Sequence, residues 1–218
     1  KNPRILDRFL EDLRRYGVVG ENRAVKLLCL ILYTRFFDRP VSASIKGTSS
    51  VGKSWILDAV LEFFPPAAFY KLSAMSEKAL AYSTEPLKNR FLVVAESAGM
   101  QGDFASYLIR TLLSEGQLRY ETVINTGKNI EAKLIEREGP TGLLLTTTAV
   151  SLHPENETRL FSVPLSDSKE QTNRILRLIA SEAETKLDPV DPWHEFHDWI
   201  ETGTHEVTIP FASTLADL

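Results

Sequence analysis

A chain of 218 residues is long enough for one substantial core, because a protein of this size buries roughly 70% of the surface its unfolded chain exposes. With 43% hydrophobic and 25% charged residues, 11 Gly and 11 Pro, it falls outside the collagen-like, low-complexity and disordered classes. One cysteine, two Met and four His exclude a disulfide scaffold and a zinc ribbon, and a formal net charge of -4 excludes a surface basic throughout, so any nucleic acid must be held by a local patch.

Apolar residues at Ile5, Leu6, Phe9, Leu10 and Leu13 predict an amphipathic helix from Arg4 to Tyr16, broken by Gly17-Val-Val-Gly20. A second, more apolar helix runs from Glu21 to Phe37 and stops before Asp38-Arg39-Pro40, where proline disfavours helix. Val41 to Lys46 reads as a short strand feeding a glycine loop, and Lys53 to Phe64 as a helix ended by Pro65-Pro66. A strand is expected over Phe69 to Leu72, a short helix over Ser76 to Tyr82, and a strand buried on both faces over Arg90 to Ala95. Phe104 to Leu113 reads as helix, Gly142 to Thr147 and Leu160 to Leu165 as strands, and Ser168 to Glu184 as a charged amphipathic helix. Strands alternating with helices predict an α/β fold with a mainly parallel sheet covered on both faces. One segment breaks the alternation: Leu118 to Ile124 and Ile130 to Ile135 flank the turn-type run Asn125-Thr-Gly-Lys-Asn129, an inserted hairpin. Glu206-Val-Thr-Ile-Pro near the end is strand-like.

Gly47-Thr-Ser-Ser-Val-Gly52-Lys53-Ser54 matches G-x-x-x-x-G-K-[ST] at every fixed position, after an expected strand and at the start of an expected helix. Its glycines permit a tight loop whose backbone N–H groups face phosphates, and the helix N-terminus adds its positive end. The expected phosphate contacts are Gly47, Ser49, Ser50, Val51, Gly52, Lys53, Ser54 and Trp55; Lys53 reaches the β- and γ-phosphates and the Ser54 hydroxyl ligates magnesium. A carboxylate is needed at the end of a neighbouring strand, and Phe91-Leu-Val-Val-Ala-Glu96 supplies Glu96. Ala95 stands where the first acid of the usual Asp-Glu pair belongs, so either Glu96 does both jobs or it holds the metal while Ser97 takes the place of the catalytic acid. Of Thr146, Thr147 and Thr148 at the end of the next core strand, Thr148 is the choice for a sensor side chain that hydrogen-bonds the γ-phosphate or the attacking water. Arg159, ahead of the following strand, either points to a neighbouring subunit's γ-phosphate or pairs with Glu155 or Glu157. His194 and His197 lack the i, i+4 spacing of a zinc pair and read as surface and cap residues; Trp193, Phe196 and Trp199 read as packing and Cys29 as a buried small hydrophobe. Lys169 to Arg177 reads as a solvated helix face from which Arg174 or Arg177 reaches toward nucleotide at most.

In this order, the glycine loop, Glu96, the hairpin, the threonine strand and Arg159 resemble the AAA+ ATPases, and within them the helicase-type branch that carries a hairpin before the sensor strand, as the minichromosome-maintenance helicases do. Leu72 to Leu80, Leu112 to Gly116, Gly139 to Gly142 and Glu155 to Arg159 look like the helicase-like domains that follow primase regions in bacterial, phage and mobile-element proteins. The resemblance covers most of residues 40 to 180 and departs from the pattern at Ala95 and in Thr for the sensor Asn. It implies a P-loop fold with a central five-stranded sheet, divided into a helical lead (1–39), an ATPase core (40–167) with the hairpin at 117–138, and a C-terminal helical segment (168–218) ending before a lid. It further implies ATP and Mg2+, catalytic roles for Lys53, Glu96, Thr148 and Arg159, and a hexameric ring in which each Arg159 completes the next site. The hairpin then enters the channel and grips single-stranded or forked DNA through Lys128, with Arg119, Lys133 and Arg137 on its stem. Such a motor is expected in the cytoplasm, beside a primase module of the same polypeptide, the chain being an excised piece of it. An ATP-dependent loader or switch with slow hydrolysis is the second reading, favoured by Ala95, and a small-molecule P-loop kinase the third. No segment predicts a membrane span: the longest apolar stretch, Leu27 to Tyr33, is far too short.

Overall fold

The computed structural model describes residues 4–73, 82–95, 107, 110–111, 113–125, 130–148, 157–181 and 190–217. Helices α1 (Ile5–Arg15) and α2 (Asn22–Tyr33, continued by a 3-10 turn over Thr34–Phe36) precede strand β1 (Ala43–Lys46) and helix α3 (Lys53–Leu61). Strands β2 (Phe69–Leu72) and β3 (Arg90–Val94) follow, then the hairpin β4 (Leu118–Asn125) and β5 (Ile130–Arg137), then β6 (Thr141–Thr147) and β7 (Phe161–Pro164). Helices α4 (Lys169–Ala180), α5 (Asp191–Glu201) and α6 (Ala212–Ala216) complete the described elements.

The main sheet has five strands in the order β2-β3-β6-β1-β7, and every pairing within it is parallel. This is a P-loop NTPase fold, an α/β architecture as the alternation of elements predicts. Side chains alternate across a strand, so each buried strand supplies two cores. Phe91, Val93, Leu144, Ile45 and Val163 face one way and meet Phe9, Leu13, Leu28, Leu32, Leu57 and Val60 of the first three helices. Leu92, Val94, Leu143 and Leu145 face the other way and meet Leu87, Leu160 and the hairpin's root residues Leu118 and Ile135. The root is further fixed by Arg137, 8% exposed, whose guanidinium donates to the Glu85 carbonyl. Arg137 therefore serves as an anchor; the reading of it as a stem charge offered to DNA is corrected by its burial.

Two further expectations change. His197 is buried on α5 rather than at the surface: its Nε2 bonds the Phe63 carbonyl at 3.1 Å and its ring stacks on Tyr33 at 4.8 Å. Burial, reinforced by the nearby Arg35 charge, pushes its pKa down to about 4. Glu206 to Ile209 form no strand, because a β-favouring run gains little without a partner ladder. Val207 and Ile209 stay exposed there. Cys29 is buried as expected, and burial raises its thiol pKa to about 12. Trp193 is buried and donates to Asp12 at 3.0 Å, whereas Trp199 is exposed. Among the described residues no helix is long and apolar enough to cross a membrane.

Candidate functional site

The loop after β1 carries two residues in the left-handed region, Ser50 (φ 66°) and Gly52 (φ 85°). Alternating backbone handedness turns successive N–H groups toward one concave side, the geometry that suits anions. Gly52 is the residue before the first turn of α3, and no side chain caps that turn, so the positive end of α3 faces the loop's interior. A Cβ on Gly52 would meet nothing within 4 Å, and Gly52 lines the open side of the loop.

That open side is a cleft of about 440 Å³ lined by Ser49, Ser50, Gly52, Lys53, Ser54, Trp55, Ser73, Ala95, Thr146 and Thr148. It sits at the carboxyl ends of β1, β2, β3 and β6, where open α/β sheets present their ligand sites. Because β6 lies between β1 and β3, the loop after β1, Ala95 after β3 and Thr148 after β6 converge on one space. The alternation of strand side chains also sorts the three threonines: Thr146 and Thr148 line the cleft, while Thr147 points to the opposite face.

Lys53 folds its ammonium back onto the loop, donating to the Gly47 carbonyl at 2.9 Å and the Thr48 carbonyl at 2.7 Å. Two of its three donors thus hold the loop's shape, and its charge remains at the cleft wall. A positive wall, converging N–H groups and the Ser54 hydroxyl form a donor set suited to a polyphosphate and to a hard, oxygen-seeking cation beside it. Gly47 and Val51 shape the loop from outside the cleft: a Cβ on Gly47 would lie 2.7 Å from Val51 Cγ1. Glu96, Ser97 and Lys128 fall outside the described residues.

Arg159 is exposed on the turn before β7 and does not line this cleft; its Nε donates to Ser114 Oγ at 2.9 Å. Of the two acids proposed as its partners, Glu157 pairs with Lys46, and Glu155 is outside the described residues. On the hairpin, Arg119 pairs with Glu136 at 2.9 Å across the ladder. Register places Arg119 opposite Glu136 and Lys133 opposite Thr122, so Arg119 and Lys133 occupy opposite faces of the ribbon. Arg174 and Arg177 are exposed and line neither the cleft nor the recess beside it.

That recess was not legible in the sequence. Gly17, Val18, Val19, Val51, Gly52, Trp55, Ile56, Gln171 and Ile175 enclose an apolar pocket contiguous with the cleft through Gly52 and Trp55. Tyr16 stacks on Trp55 at 6.2 Å and 26°. Gln171 closes the recess from α4, its Nε2 donating to the Val19 carbonyl at 2.7 Å. Gly20 (φ 71°) accepts this packing only because it has no side chain: a Cβ there would lie 1.9 Å from Gln171 Oε1. Ser73 and Asp167 were missed as well. Ser73 follows directly on β2, a position that a polar residue after a strand could have signalled; Asp167 accepts from Thr48 Oγ1 at 2.7 Å and ties the loop to the start of α4.

The family model described as MTBMA_p00010 P-loop domain matches residues 1–193 of the chain. No curated protein matches it.

Proposed function

The chain belongs to the MTBMA_p00010 P-loop domain family, a nucleotide-binding assignment, and on that premise we propose that it is an ATP-hydrolysing motor domain of the AAA+ type that acts on DNA as a ring-forming helicase or translocase. The observation that carries this reading is the strand order, with β6 inserted between β1 and β3, together with an antiparallel hairpin placed in the chain directly ahead of β6. That order gathers the phosphate loop and Thr148 at one cleft, and gives the hairpin a rigid root on the same β6 core. The cleft takes the triphosphate, with Trp55 at its junction with the apolar recess.

In this reading Lys53 neutralises the β- and γ-phosphates, the Ser54 hydroxyl and Glu96 hold Mg2+, and Thr148 orients the attacking water. The metal supplies charge neutralisation across the phosphate oxygens. Arg159, exposed and outside the lining of its own cleft, stabilises the charge developing at the neighbouring copy's γ-phosphate. Lys128 at the hairpin tip contacts the DNA backbone, and the opposed faces of Arg119 and Lys133 give the ribbon one basic contact on each side. Turnover by the purified chain, with Lys53→Ala and Arg159→Ala as variants, tests the core of this. Both variants should be inactive, and Arg159→Ala should still bind ATP. Normal hydrolysis by Arg159→Ala under conditions of assembly would overturn the shared site. Filter binding of single-stranded DNA across salt tests the DNA reading, which fails if Lys128→Ala retains full affinity.

A second reading has one observation in its favour. Ala95 lines the cleft where a carboxylate would assist hydrolysis, which suits a slow ATP-dependent loader or switch. DNA binding without unwinding of a forked duplex would select it.

A further inference from the structure

The phosphate loop is tied on both sides of Gly47 to the segment around β7. On one side, Lys46, the last residue of β1, pairs with Glu157, and the same carboxylate oxygen accepts from Ser162 Oγ at 3.5 Å. On the other, Thr48 donates to Asp167 at 2.7 Å. Between these ties β7 runs flush against β1, with Leu165 N donating to the Lys46 carbonyl at 2.8 Å. Glu157 stands two residues before Arg159 on the short turn 157–160. The same turn is attached through Arg159 to Ser114, four residues ahead of the hairpin, and through Leu160 to the cluster that includes Leu118 and Ile135 of the hairpin root.

The Lys46–Glu157 pair is therefore a charged link between the phosphate loop and the turn that carries the arginine. Its side chains are only 16% and 34% exposed, so solvent screens it less than a surface pair. Lys46 is adjacent in sequence to the loop's first glycine, so the pair joins the start of the loop to Glu157 through a side chain. We propose that Glu157 is a positioning residue for Arg159: through Lys46 it makes the placement of the arginine depend on the state of the phosphate loop in its own chain, coupling occupancy of one site to the arginine offered to the next copy. This rests on the shared-site reading above.

The test uses the full chain with Lys46→Met, Glu157→Gln and the exchanged pair Lys46→Glu/Glu157→Lys, each checked by thermal melting. A mispositioned catalytic group costs about tenfold to a hundredfold in rate. Each single variant should lose that much kcat, change its affinity for a fluorescent ATP analogue by less than about threefold, and lose cooperativity in its ATP saturation curve. The exchanged pair should recover most of the kcat and the cooperativity, as a direct pairwise interaction requires. Wild-type kcat and cooperativity in both singles, while Arg159→Ala is inactive, would overturn the proposal and leave the shared site standing. So would weak analogue binding by Lys46→Met with a silent Glu157→Gln, since Lys46 would then serve the phosphates itself. Normal turnover by Arg159→Ala would bring down the shared-site reading, and the coupling with it.

Discussion

Replacing Gly52 by alanine separates folding from binding at the phosphate loop. The residue sits at φ 85°, a conformation that costs an L-residue roughly 1–2 kcal/mol. No steric term adds to this, because nothing lies within 4 Å of the new methyl. The expected loss of stability is thus about 1–2 kcal/mol, which for a chain of this size lowers Tm by roughly 2–8 °C. Binding responds differently. Gly52 lines the cleft in which phosphate oxygens must approach the backbone N–H groups, so a methyl there crowds that approach, and a displaced polyphosphate loses several charge-assisted hydrogen bonds at once. A drop in affinity of at least about a hundredfold, equivalent to about 2.7 kcal/mol, is expected. The assay is a thermal melt alongside titration with a fluorescent ATP analogue in Mg2+. An affinity within about threefold of the unaltered protein would refute the placement of phosphate against this loop, whatever the melt shows.

Gly142→Ala should show the reverse pattern. Its Cβ would lie 2.2 Å from Phe91 Cε1 between two buried strands, so overpacking of about 2–3 kcal/mol is expected in urea unfolding, with partial rescue by Phe91→Leu. Acid should weaken the fold through His197. Its folded pKa of about 4 lies below the ordinary value near 6.5, so the unfolded chain takes up a proton first, and stability falls as pH drops from about 6.5 to about 4. The loss is on the order of 3 kcal/mol, and a His197→Phe protein with the same acid slope would disprove the assignment. Arg137→Ala should cost about 1–3 kcal/mol by stranding the Glu85 carbonyl, and hydrogen exchange should quicken in β4 and β5. Affinity for the ATP analogue should be unchanged in that variant; a fall would show that the hairpin root supports the cleft directly.

Local patterns were sufficient wherever the signal resides in neighbouring residues. The helical period of Ile5 to Leu13, the apolar run Phe91 to Val94 and the paired β-favouring segments of β4 and β5 each predict their own element within a few residues. The phosphate loop is legible for the same reason, since strand, glycines, lysine and hydroxyl follow one another in a single short segment. His197 shows where that reasoning ends. Spacing on α5 describes a surface helix face, but its burial depends on Phe63 and Tyr33, which lie far away in sequence.

By itself, then, the sequence determined most of the described elements, the phosphate loop and the candidate acids and arginines around it, because hydrophobic period and loop chemistry are short-range properties. Only the tertiary structure decided which of these share a space. Strand order brought Ala95, Thr146 and Thr148 to the loop and left Thr147 on the other face; docking of α4 onto the loop between α1 and α2 made the recess out of Val19 and Gln171, 152 positions apart in the chain. The pairing of Lys46 with Glu157 was decided there too, since a long-range ion pair is set by which strands lie side by side, and no periodicity within either segment encodes that.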